Sequence, residues 1–179
     1  MKKINISPKN KSQYLKLLKF GEEIVQICKD VGFEPIVYGS LAYFAYTKDT
    51  NVKINDIDFL IPKKSYMQIM KILDKKKIKY NWDPKWPILQ IFKGKLLIEL
   101  DPIDGWPKNI VKSSLEFEFN RLKLNIVSLD LIKKSYTLGL EKSSTPEKYV
   151  EKVEGLNKLY DLTEADKSPV AINISCKSY

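Results

Sequence analysis

Gly39-Ser40 and, after a helix-length gap, Asn55-Asp56-Ile57-Asp58-Phe59-Leu60-Ile61-Pro62 decide how this chain is read. The glycine closes a short apolar run, Pro35-Ile36-Val37-Tyr38, so the dipeptide sits where a strand turns into the next element. In the second stretch two aspartates alternate with apolar residues. Alternation along a strand sends every second side chain to the same face. Asp56 and Asp58 therefore project together, while Ile57 and Phe59 point to a core. Aspartate is a poor strand former, and two on one side of an apolar strand mark a departure of the kind found at functional sites. Carboxylates held side by side repel each other, and a divalent cation between them relieves that repulsion.

A third acid comes from Leu96-Leu97-Ile98-Glu99-Leu100-Asp101-Pro102. Glu99 and Asp101 share one face of this strand, and either completes a three-carboxylate set if the strand lies beside Asp56 and Asp58. Two Mg²⁺ ions sharing such a set sit ~3.5–4 Å apart. Glycine lets the backbone approach a ligand closely, and the Ser40 hydroxyl and amide can donate to a phosphate oxygen. A phosphate-binding turn beside carboxylate-held Mg²⁺ is what phosphoryl or nucleotidyl transfer requires. Lys53, Lys133 and Lys134 are candidates for neutralising phosphate charge. Trp82, Trp86 and Trp106 flank the hairpin, where they can stack on a ring or pack at the rim. Each element also has a plainer reading. Gly39-Ser40 alone is an ordinary turn with a serine N-cap, and either acidic strand alone is a strand with one solvated face.

Composition narrows the chemistry. The 179 residues are 44% hydrophobic and 30% charged, with a net charge of +9. That size allows one domain, or one domain with a small appendage. The charge favours polyanionic partners or nucleotide phosphates. The lysines are scattered along the sequence, which reads as a solvated surface and not as a dedicated nucleic-acid patch. There is no histidine, which excludes imidazole catalysis and histidine metal sites. Cys28 and Cys176 stand far apart, without ligand spacing. The basic start, Met1-Lys2-Lys3, lacks the apolar core of a signal peptide, and no stretch is apolar for long enough to span a bilayer. The expected location is the cytoplasm.

Periodicity predicts helices over 12–31, 40–47, 65–78, 129–138 and 146–162, and strands over 33–38, 56–61, 88–92, 96–101 and 117–127. The helix over 12–31 carries Leu15, Leu18, Ile24, Ile27 and Val31 at helical spacing. Residues 167–179 show no period and are expected as a tail or edge strand. The fold class expected is α/β (α+β): a small mixed sheet flanked by helices over 1–127, then a short helical C-terminal extension and tail over 128–179.

Gly39-Ser40, Asp56-x-Asp58 and the later acidic strand together resemble the nucleotidyltransferase superfamily typified by DNA polymerase β. The small size and Ile98-Glu99-Leu100-Asp101-Pro102-Ile103 look most like its minimal lincosamide- and aminoglycoside-type members, and the resemblance covers roughly 34–162. In those proteins an acid followed by x-x-Pro marks the third position, which points to Glu99 before Asp101. The resemblance implies an Mg²⁺-dependent enzyme, with two ions, that moves a nucleoside monophosphate from an NTP to an acceptor hydroxyl and releases pyrophosphate. It implies metal binding by Asp56, Asp58 and Glu99, catalysis by these with Asp101, and nucleotide binding by Gly39, Ser40 and Lys134. A basic-x-x-Asp signature common in the last helix of the family is matched only loosely by Lys148-Tyr149-Val150-Glu151-Lys152-Val153-Glu154. Two other functions remain open: a catalytically idle antitoxin or regulatory binding module, and an enzyme that modifies RNA or tRNA. No acceptor is named by the sequence.

Overall fold

Alternation in the Asp56–Ile61 strand is realised as expected: Ile57, Phe59 and Ile61 are fully buried, while Asp56 and Asp58 keep partial access to solvent. The computed structural model describes residues 6–160 and the short strands 3–4 and 171–172. In chain order the elements are β1 (Lys3–Ile4), α1 (Lys11–Asp30), β2 (Ile36–Tyr38), α2 (Gly39–Thr47), β3 (Asp56–Ile61), α3 (Tyr66–Lys75), β4 (Lys79–Asp83), β5 (Trp86–Lys93), β6 (Leu96–Pro102), α4 (Ile110–Ser113), β7 (Leu115–Phe119), β8 (Leu122–Ile126), α5 (Leu129–Lys142), α6 (Glu147–Tyr160) and β9 (Ala171–Ile172). The strands form one mixed sheet in the order β1-β9-β7-β8-β2-β3-β6-β5-β4. β3 lies antiparallel to β2 and parallel to β6.

Long apolar side chains on one sheet face meet α1, whose buried stripe runs through Tyr14, Leu17, Leu18, Ile24, Val25 and Cys28. Gly21 of α1 lies against Ile57, close enough that an added Cβ would stand 3.0 Å from its Cδ1. Leu15 and Val31, expected on the buried stripe, are only half-buried beside it. Cys28 is buried and free, and burial pushes its thiol up to about 12, so it is unreactive. Cys176 lies outside the described residues.

Two expectations fail for local reasons. The single strand expected over 117–127 is a hairpin, β7–β8, turning at Asn120 and Arg121, both with positive φ (47° and 73°). This two-residue geometry usually announces itself by glycine; here arginine occupies the second left-handed position, so the turn is silent in the sequence. β4 went unexpected because it is an edge strand of mostly polar residues, half-burying only Tyr80 and Trp82. Of the tail expected over 167–179, the described part is β9, which pairs with β1 and β7; the other residues lie outside the described set.

After Ser128, α5 and α6 pack against α2. Tyr136 meets Tyr43 edge-on at 6.0 Å, and Tyr149 meets Tyr136 at 6.0 Å. Gly155 lets α6 come close, because a Cβ there would overlap the Tyr43 hydroxyl. No helix among the described residues is long and apolar enough to cross a membrane.

Candidate active site

The sheet face opposite α1 carries the acids. In the β3–β6 register Asp58 stands directly beside Glu99, Asp56 beside Leu97 and Leu60 beside Asp101. Tyr38 of β2 pairs with Asp58 from the other side, and Gln90 of β5 pairs with Glu99. Tyr38, Asp58, Glu99 and Gln90 thus form one row across four adjacent strands. The expectation that the strand of Glu99 and Asp101 lies next to that of Asp56 and Asp58 is met, and all four acids share a face.

The convergence of three carboxylates on one point is not met. Among the described residues no three acidic, cysteine or histidine side chains are gathered into a group that could hold a metal ion as they stand. The cause is visible in the hydrogen bonds. Glu99 accepts from Gln90 Nε2 at 2.7 Å, and Asp101 accepts from Tyr38 Oη at 2.5 Å. Two of the four acids are thus each held by a neutral donor of their own, while Asp56 and Asp58 are left to the charges around them.

Gly39 and Ser40 open α2 beside this row. Gly39 has φ +66°, a conformation that other residues rarely adopt, and a Cβ there would overlap the Asp58 carboxylate. The backbone at the start of a nine-residue helix, where amides are left without helical partners, therefore lies directly against the acid. Ser40 does not cap this helix with its side chain. Its hydroxyl instead accepts a hydrogen bond from Lys152 Nζ at 3.0 Å, and the same ammonium lies 3.3 Å from Tyr136 Oη and 4.8 Å from the Tyr136 ring centroid.

Lys152 is the cation at this site that the sequence reading did not single out. It lies within the segment 148–154, read there only as a loose family match. Tyr149, Lys152 and Leu156 form an i, i+3, i+7 stripe on α6, so a lysine standing on an apolar stripe was the available signal. Burial pulls its ammonium below the usual lysine value, while Asp58 and Asp56 oppose that fall.

The acids show the complementary strain. Burial, then the charge of Glu99, raises Asp56 above the ordinary aspartate range, and Lys152 works against the rise. Asp58 is raised well above that range by burial, then by Asp56, Glu99 and Asp101. A cation at this face would relieve both. Asp56 and Asp58 are hard oxygen donors with partial access, so the residues fit Mg²⁺ once Glu99 turns from Gln90.

Asp101 is raised to about 6, chiefly by burial and secondarily by Glu99, with the Tyr38 hydrogen bond opposing. Its carboxyl therefore binds a proton more tightly folded than unfolded. The stability it contributes is present below the usual aspartate value and lost as the pH rises through about 6. Asp101→Asn lacks this titration. Relative to the wild type, its unfolding free energy should rise by about 1–2 kcal/mol between pH ~4 and ~6 and change no further above that. Denaturant melts across that pH range measure the difference.

A cavity of about 520 Å³ lies between α5 and the loop after β6, lined by Gly105, Trp106, Pro107, Leu131, Lys134, Ser135 and Leu138. Trp106 meets Tyr38 edge-on at 5.5 Å, which joins the cavity to the acidic row. Lys134 thus lies in this cavity, and the cation that touches Ser40 is Lys152. Trp86 is largely exposed, and Trp82 is half-buried on β4.

The sequence matches no family model, and no curated protein matches it. Solved structures do resemble it. The antibiotic-resistance factor ANT(2″)-Ia, solved with adenylyl-2″-tobramycin, is similar at TM-score 0.60 and 14% identity over 80% of this chain and 88% of that one. An antigenic nucleotidyltransferase-like protein from Paracoccidioides brasiliensis is similar at TM-score 0.57 and 13% identity, over 80% of this chain and 76% of that one. The lincosamide antibiotic adenylyltransferase LnuA, solved with lincomycin bound, gives TM-score 0.54 and 10% identity over 86% of this chain and 98% of that one. At these identities the likeness is one of fold.

Proposed function

We propose that this chain, which has the nucleotidyltransferase fold, transfers a nucleoside monophosphate from an NTP to an acceptor hydroxyl and releases pyrophosphate. The observation that carries the reading is the contact between Gly39 and Asp58. It sets a helix start suited to phosphate directly against a pair of acids suited to a divalent cation.

Asp56 and Asp58, joined by Glu99, would hold Mg²⁺, which when bound neutralises triphosphate charge and makes an attacking hydroxyl more acidic. Gly39, Ser40 and Lys152 hold the phosphates, and Lys134 adds charge from the neighbouring cavity. The acceptor oxygen forms a bond to the α-phosphorus, the bond from that phosphorus to the β-phosphate bridging oxygen breaks, and pyrophosphate leaves. Glu99 receives the hydroxyl proton. Asp101, held by Tyr38, positions the row. The cavity beside Trp106 is the space for the acceptor, and its size suits a small molecule. Residues 1–127 form the catalytic unit in this reading, with 128–179 as an extension that brings Lys152 to Ser40.

The hydrogen bonds that occupy Glu99 and Asp101 also suit one rival, a regulatory module that no longer catalyses. Thermal melting separates the two. Ligand at 100 times its Kd stabilises the native state by about 2.7 kcal/mol, so Mg²⁺ with the preferred NTP should raise the Tm by roughly 5–10 °C. No shift with any of the four NTPs would favour the regulatory module. Lys152→Met should raise KM for the NTP about 10- to 100-fold, the scale of one charge-assisted contact, measured by release of pyrophosphate.

A further inference from the structure

On the α1 side of the sheet the fold gathers five lysines that the sequence scatters. Lys9, Lys11, Lys16, Lys93 and Lys95 line one groove of about 880 Å³ together with Asn10, and no acidic residue lines it. Lys93 is paired with Glu23 at 2.9 Å. Among the described residues Lys9, Lys11, Lys16 and Lys95 have no acidic partner within salt-bridge distance. Scattered in the sequence, these exposed lysines stand together in space. The α1 terminus and the β5–β6 turn are more than 80 residues apart in sequence and become neighbours through packing of α1 on β6.

The groove is built onto the catalytic end of the sheet. Asn10 donates to the Ile54 carbonyl at 2.8 Å and accepts from the Ile54 amide at 3.0 Å, two residues before Asp56. Leu96, on its wall, begins β6 next to Leu97, the register partner of Asp56. The backbone amide of Lys9 bonds the Val52 carbonyl at 3.0 Å, which brings exposed Lys53 alongside.

We propose that this groove binds the sugar–phosphate backbone of a nucleic-acid strand, independently of any transfer reaction. The charges are spread along a space far larger than one phosphate, which favours a repeating anion. Of the exposed large apolar residues, Met67, Trp86, Val111, Leu115, Leu138 and Val150, none lines the groove. That disfavours a lipid surface, which such residues would enter. With no exposed aromatic platform among its lining residues, the groove reads backbone charge and not base identity.

The test is fluorescence anisotropy of the full chain with a labelled 20-nucleotide single-stranded RNA, titrated from 50 to 200 mM salt. Each phosphate contact contributes about −0.7 to the log–log slope for a single strand, so four to five contacts give a slope near −3 and roughly a 60-fold loss over that range. K11Q/K16Q/K95Q should lower the slope by about 2, and K11R/K16R/K95R should restore it. The glutamine variant should keep its melting temperature and its response to Mg²⁺ and NTP. A glutamine variant with the wild-type slope would overturn the proposal. So would failure of the wild type to bind RNA at 50 mM salt, or binding to anionic phospholipid vesicles without binding to RNA.

Discussion

Asp58→Asn is expected to reduce nucleotidyl transfer by about 10²–10³-fold while raising the melting temperature of the ligand-free protein by about 2–6 °C. The two effects have one origin. Asp58 is the acid most crowded by others, with Asp56, Glu99 and Asp101 all raising its proton affinity on top of burial. Without a bound cation its charge costs stability at neutral pH. Removing the charge while keeping the shape relieves on the order of 1–2 kcal/mol, a shift of a few degrees in a chain this size. The sign follows from linkage. A carboxyl raised on folding adds stability only below its unfolded value and loses it as the pH rises through the folded one. The gain from Asp58→Asn should therefore vanish in acid. The same charge is central to the proposed Mg²⁺ site, so its loss removes an electrostatic contribution whose usual worth is of that catalytic size. Calorimetric Tm and a labelled-NTP assay on one preparation measure both. A variant destabilised at pH 7.5 and still active would contradict the assignment.

Gly39→Ala is expected to lower the Tm by about 5–15 °C and transfer by at least about 100-fold. A Cβ at φ +66° is strained, at about 1–2 kcal/mol. The same Cβ overlaps the Asp58 carboxylate, and relieving that overlap in a packed site costs a further ~1–3 kcal/mol. Either the helix start or the acid must move, and a displacement of about 1 Å at a reacting centre costs about 10²-fold. A double variant, Gly39→Ala with Asp58→Ser, should recover part of the stability and none of the activity, because the shorter side chain clears the overlap. Equal stability of the two variants would show that the contact is not the cause.

Much of this site was legible in the sequence because acids are expensive in an apolar strand. Asp56 and Asp58 break a buried pattern twice on one side, and the structure keeps them on the face away from α1. Gly39 was legible as a turn, but its deeper requirement, the Asp58 carboxylate against its Cα, depends on a contact 19 residues away. The neighbourhood of β3 and β6 was an assumption until the register placed Asp58 beside Glu99. Lys152 escaped because a single cation among 31 lysines and arginines carries no local pattern, and its proximity to Ser40 depends on the close approach permitted by Gly155. The lysine groove escaped for the same reason: its walls come from separate parts of the chain. The Asn120-Arg121 turn escaped because its residues lack the usual glycine.

The most direct measurement is anomalous diffraction from crystals grown with Mn²⁺ and a non-hydrolysable NTP analogue. The account predicts an Mn²⁺ peak ligated by Asp56 and Asp58, Glu99 turned away from Gln90 towards it, and the triphosphate lying against Gly39, Ser40 and Lys152. A nucleotide bound elsewhere on the molecule, or bound with Glu99 still on Gln90 and no metal at the aspartates, would contradict it.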